Sequence, residues 1–236
     1  MSIEKADVVA TIGKGLVGAI PFVGPLAAEI VGTIIPNQRI DRIESTLRLL
    51  ESKILESDKE KVKQRIVTPE YVDLMEDGFW QTVRALSEER KDYIASLLKN
   101  SLTDDELKCI EYKRLIFILG ELNDIEILIL KSKSMERGTR EYQEFYDAQK
   151  NSIAWLIPID SGATQEEKDR YAIYKTYNLH LTNLGLLKGR FKTLRKGDLP
   201  EFDQETGMIK ATSYGITMLG RLLLRSIDQA VPENGA

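Results

Sequence analysis

The two residue types that carry most metal and nucleophile chemistry are nearly missing from this 236-residue sequence, which holds one cysteine, Cys109, and one histidine, His180. A single cysteine excludes an internal disulfide framework and fits a reducing compartment. One residue of each type leaves no His/Cys cluster for zinc. Strong charge of either sign is missing too. Lys and Arg number 33 against 37 Asp and Glu, a formal net charge of -4, so wholesale nucleic-acid binding is not indicated. An unbroken membrane-length run is also lacking. A spanning helix needs about 20 apolar residues, and the longest uncharged piece, Gly15 to Ala28, falls short and contains Pro21 and Pro25. Asp7, Lys14 and the same prolines also break the layout of a cleaved signal peptide.

What the sequence does have is a Gly- and Pro-punctuated apolar stretch from Val8 to Pro36. Two short helices joined by a corner at Pro21 to Pro25 are its natural reading, with Pro25 in the first turn of the second. Gly15 with Ala19, and Ala28 with Gly32, make small-xxx-small pairs that permit close helix approach. Ordinary core helices avoid interior glycine, which costs roughly 0.5–1 kcal/mol each, so Gly13, Gly15, Gly18 and Gly32 ask for a reason. Two readings stay open. The hairpin packs permanently into a helical core, or it is stored for a bilayer, with Leu16, Val17, Ile20, Phe22, Val23, Leu26, Ile30, Val31 and Ile34 as the lipid-contacting side chains. Gly13-x-Gly15-x-x-Gly18 matches a dinucleotide fingerprint by letter only. It follows no strand, and no ribose-binding acid is in place.

Beyond Pro36 the text is helical. Ile40, Ile43, Leu47, Leu50 and Ile54 recur at steps of three and four residues, an apolar seam that serves either a bundle core or self-association and partner binding. Thr68 is expected to cap a helix with Pro69 in its first turn, Ser87 to open another, and Asn123 to cap a third. Thr103-Asp104-Asp105-Glu106 reads as a capping box leading into Leu107, Ile110, Leu115, Ile118 and Leu119, with Cys109 as inert packing. Ile125, Leu128 and Ile129 are the expected inner face of the next helix, widened by Ile127 and Leu130; Phe79 and Trp80 are expected in the core. Residues 131–150 read as a helix or a mobile connector. A domain boundary is expected near Trp155 to Gly162.

The last third changes character. A helix from about Gln165 to Leu184 presents Tyr174, Tyr177, Leu181 and Leu184 on one face and stops at Gly185. Extended text from Leu186 to Arg195, a turn-rich loop, and a returning stretch from Met208 to Ile216 suggest a hairpin. Thr217 then caps a final helix. Lys188, Arg190, Lys192, Arg195 and Lys196 form a basic strip where a wing would lie, suited to phosphates, but Asp198, Glu201, Asp203 and Glu205 follow at once. His180 is expected to be exposed or to bond locally.

Asn183-Leu184-Gly185-Leu186-Leu187 resembles the end of a winged-helix recognition helix, and Tyr214-Gly215-Ile216-Thr217-Met218-Leu219-Gly220-Arg221 resembles the start of its closing helix. With Glu121-Leu122-Asn123-Asp124-Ile125-Glu126-Ile127-Leu128 and the helical run before it, the layout is similar to the abortive infection alpha family of bacterial proteins. The similarity spans most of the chain through short, largely structural motifs. It implies a role in bacterial anti-phage defence and brings no catalytic residues with it.

The expected fold is mainly α: a helical bundle over residues 1–160, then a small winged-helix-like α+β domain with one β-hairpin over 161–236. The expected function is non-enzymatic, with no catalytic, cofactor-binding or metal-ligating residues and no cofactor. It is that of an anti-phage effector that engages or perturbs the membrane through its N-terminal hairpin. Such a chain would be cytoplasmic or peripheral to the inner membrane and partnered by lipid or by further copies. The alternative is a winged-helix regulator that binds DNA or docks on a protein.

Overall fold

The structure, a computed structural model, describes residues 40–54, 59–153, 163–195, 197–203 and 207–231. Among these residues it is mainly helical, with nine helices and one two-stranded antiparallel hairpin. The expected N-terminal hairpin, with Leu16, Val17, Ile20, Phe22, Val23, Leu26, Ile30, Val31 and Ile34, lies outside the described residues, as does the boundary expected near residue 160. The chain divides into two compact units, one of residues 1–121 with 226–228, the other of 122–225 with 229–236.

Unit 1 contains α1 (Ile40–Ile54), α2 (Lys59–Ile66), α3 (Pro69–Arg84), α4 (Glu88–Thr103) and α5 (Cys109–Glu121). Helix α4 packs against all four others, and it is buried around most of its girth through Tyr93, Ile94, Ala95, Leu97, Leu98 and Leu102. A helix apolar on one stripe alone could not do this. Gly78 of α3 is the close point. A Cβ there would meet the side chains of Leu98 at 3.1 Å and Ile116 at 3.4 Å. The seam of α1 belongs to this core, since Ile43, Leu47, Leu50 and Ile54 are at most 2% exposed. These four side chains are covered within unit 1, as the bundle-core reading of the seam expects.

Caps account for most helix starts and for two departures. Ser87 Oγ accepts from Arg90 N at 3.1 Å, as its place before Glu88 anticipates. Pro69 takes the first position of α3, but Thr68 does not cap with its side chain. Its hydroxyl donates to Arg65 O at 2.7 Å instead. The capping box expected at Thr103 is absent, because Thr103 is the last residue of α4 and its hydroxyl turns back to Lys99 O and Asn100 O. Asp104 Oδ1 takes Glu106 N at 2.8 Å, and α5 starts only at Cys109. That shift sets which residues face inward. Tyr112, Leu115, Ile116 and Leu119 are buried, whereas Ile110 lies 70% exposed, against the expectation of burial. Trp80 is likewise on the surface, while Phe79 is fully buried.

Unit 2 contains α6 (Asp124–Ser134), α7 (Arg140–Ile153), α8 (Gln165–Asn183), β1 (Leu187–Arg190), β2 (Ser213–Ile216) and α9 (Met218–Ser226). Helix α6 packs on α7, α8 and β2 together. Its buried side is therefore wider than one stripe, with Ile127, Ile129 and Leu130 inside and Ile125 and Leu128 only half-buried. Residues 131–150, read as helix or connector, form the end of α6 and most of α7. The helix–hairpin–helix order of α8, β1, β2 and α9 is the one anticipated for the C-terminal part, and α6 supplies an earlier helix packed against it.

Candidate functional site

Three local devices set the hairpin of unit 2. The first is the end of α8, where Gly185 adopts φ +74°, Gly185 N donates to Thr182 O at 2.9 Å and Leu186 N to Leu181 O at 2.9 Å. This pair of bonds is the Schellman arrangement, and the buried Leu181 and Leu186 supply its apolar contact. It turns the chain straight into β1. The second device is Thr217, whose hydroxyl accepts from Gly220 N at 3.1 Å and donates to Gly185 O at 2.7 Å, so one side chain caps α9 and ties it to the end of α8. The third is Gly220. A Cβ there would stand 2.5 Å from Leu186 O and 3.2 Å from Leu130 Cδ1, so only glycine lets α9 approach this closely.

In the hairpin Leu187 pairs with Ile216, Lys188 with Gly215, Gly189 with Tyr214 and Arg190 with Ser213. Alternation puts Leu187 and Gly189 on one face and Lys188 and Arg190 on the other. The Arg190 guanidinium lies over Gly215, 3.2 Å from where a Cβ would be. Beyond this stem neither strand continues, and the connection closes on itself through a few isolated contacts. Phe202 bridges Ile209, Asp203 N donates to Met208 O at 2.8 Å, and Lys210 N to Glu201 O at 2.8 Å. The stem and this long connection are called the wing below, after its place in the order helix, hairpin, helix.

Bulky apolar side chains crowd this wing without being covered. Leu199 is 86% exposed, Phe202 and Met208 are each 58% exposed, and Phe191, Leu194 and Ile209 are exposed as well. The basic residues stand beside them. Lys188, Arg190, Lys192 and Arg195 are all exposed, and Lys196 lies outside the described residues. Lys192 Nζ sits 3.9 Å from Glu201 Oε1, and Asp203 is met by Lys175 of α8 at 3.4 Å. The cations are legible from sequence; the exposed apolar residues read there as ordinary hairpin text.

A second constellation ties α8 to α6. His180 Nδ1 donates to Glu126 Oε1 at 2.7 Å, and the Glu126 carboxylate is almost wholly buried. The same carboxylate accepts Asn123 N at 2.9 Å through Oε2, while Asn123 Oδ1 accepts Glu126 N at 2.9 Å. This capping box holds the carboxylate still for the imidazole. The His180 side chain stays 38% exposed, as one half of the expectation has it, but this partner lies 54 positions earlier in the chain and not nearby.

The Cys109 thiol is half-buried, and burial pushes its pKa up, against the direction that activates a nucleophilic thiol. Among the described residues no group of three or more His, Cys, Asp or Glu side chains is placed to hold a metal ion. No described helix is long and apolar enough to cross a membrane. Comparison with protein families, with curated proteins and with solved structures found no match.

Proposed function

We propose that the chain is a non-enzymatic effector of bacterial anti-phage defence, of the abortive-infection kind, that engages or perturbs the inner membrane through residues 8–35. The observation that carries this is the composition of that stretch, five glycines and a proline pair amid Leu, Val, Ile and Phe, which suits close helix packing in lipid better than an ordinary bundle core. The resemblance of residues 183–187 and 214–221 to the abortive infection alpha family supports the defence role. Those two motifs meet at Gly185 and Thr217, 2.7 Å apart across the end of α8 and the start of α9.

Release of dye from vesicles made with anionic phospholipid tests the proposal. The parent chain should release dye, and Gly18→Leu and Ile20→Asp should each reduce release strongly. Equal release by all three proteins overturns it.

A second reading, a winged-helix regulator, draws on the exposed Lys188, Arg190 and Lys192. Replacing all three with Ala should weaken DNA binding and flatten its salt slope, by close to one counterion for each phosphate that is no longer neutralised. No DNA binding at low salt ends that reading.

A further inference from the structure

From the side chains on its surface we infer that the wing of unit 2 docks on an anionic phospholipid surface. Its apolar residues enter the headgroup–acyl boundary, and its cations meet the headgroups. The inference builds on the membrane proposal but rests on unit 2 alone, not on residues 8–35.

The first observation is concentration. Exposed single hydrophobes are normal on any surface, but several bulky ones gathered in one connection ask for a partner. Six bulky apolar side chains lie uncovered between residues 191 and 209, inside a connection from Arg190 to Ser213 that is far longer than the few residues a hairpin needs. The bridge between Phe202 and Ile209 makes the point locally. A cross-strand pair on one face normally buries itself against a second layer, yet both of these side chains are exposed.

Charge names the partner. Lys188, Arg190, Lys192, Arg195 and Lys210 are exposed on the same wing, against Asp198 and Glu201. Asp203 is engaged by Lys175. The excess is cationic, so the surface sought is anionic. A nucleic acid would satisfy the cations but not the rest. Bases stack on aromatic faces, and Leu194, Leu199, Met208 and Ile209 offer none. Phe191 has its ring end within 3.0 Å of a Cβ position at Gly189, so part of its surface is already taken by the hairpin. A bilayer interface takes aliphatic and aromatic side chains alike and attracts basic residues beside them.

The test uses the full chain and vesicles of phosphatidylcholine with or without phosphatidylglycerol, with bound protein read by sedimentation. The parent should bind the anionic vesicles and not the neutral ones, and binding should weaken as salt screens the headgroups. Lys188→Ala/Arg190→Ala/Lys192→Ala should bind about 100-fold more weakly, from roughly a fivefold loss for each of the three cations. Leu199→Ser and Phe202→Ser should also lose binding. Each of these side chains is exposed, so unchanged circular dichroism is expected and removes misfolding as a cause.

Ile20→Asp/Val23→Asp separates the two proposals. It should leave vesicle binding in place while abolishing dye release. If that variant loses binding and the wing variants keep it, the wing inference is overturned while the role of residues 8–35 survives. Equal binding to both vesicle types overturns it, as does binding of an oligonucleotide but not of vesicles.

Discussion

His180 Nδ1 of α8 lies 2.7 Å from Glu126 Oε1 of α6, and Glu126 is the N3 residue of the box that starts α6. One carboxylate thus holds a helix start and a helix–helix contact together. Glu126→Ala removes both, because it takes away the carboxylate that Asn123 N and His180 Nδ1 share. A loss of about 1–3 kcal/mol is expected by urea unfolding. Glu126→Gln keeps a side chain able to cap and should lose less. A double-mutant cycle with His180→Ala should give a coupling of about 0.5–3 kcal/mol. No coupling would show that the two side chains act separately.

Gly220→Ala should be the most damaging glycine substitution in unit 2. The new methyl would stand 2.5 Å from the backbone oxygen of Leu186, which cannot turn aside. At Gly215 the group met is the end of the flexible Arg190 side chain, 3.2 Å away. Overpacking of the first kind costs typically about 1–3 kcal/mol, and Gly215→Ala should cost distinctly less. The ranking is read by thermal unfolding of the two variants side by side.

Leu50→Ala tests where the α1 seam is used. Its side chain is fully buried among the helices of unit 1, so truncation should cost about 2–5 kcal/mol with no change in mass by light scattering. A change in oligomeric state at full stability would contradict a seam committed to the core.

Much of this architecture is legible in the sequence because single residues dictate it. Ser87, Asn123, Gly185 and Thr217 each end or start a helix where their chemistry says they should. The misses share a cause: the deciding partner is far along the chain. Thr103 is free, by its chemistry, to cap forward or bond backward. Backward wins at the point where Lys61 Nζ donates to Thr103 O at 2.5 Å and Arg65 donates to Leu102 O at 3.2 Å, the two cations closing the end of α4. Ile110 faces water because α5 begins two residues later than Leu107 implies. The partner of His180 depends on the packing of α6 against α8, which no local spacing reveals. In the wing the alternation of β1 is readable, but the exposure of Leu199, Phe202 and Met208 is not. Whether an apolar loop residue is covered depends on what folds over it.

Acid sensitivity should trace in part to Asp228. Burial works to raise its pKa, but the Asn100 amide together with the Lys99 and Lys53 ammonium groups outweighs it and holds the carboxyl below its ordinary 3.8. A depressed folded-state pKa contributes stability that is complete above the unfolded-state value and is lost as pH falls through the folded-state one. Stability should therefore decline below about pH 4. Asp228→Asn, which tolerates the φ of +54° at this position, should make that decline shallower and lower the plateau near neutrality. An acid limb identical to the parent's would remove Asp228 from the explanation.

The most direct measurement is uptake of a membrane-impermeant dye by bacteria expressing the full chain, compared with cells expressing Ile20→Asp/Val23→Asp at equal protein level. If residues 8–35 act on the inner membrane, the parent admits dye as growth stops and the variant admits none. Growth arrest without dye uptake, or equal uptake from both proteins, would contradict a membrane role for that segment.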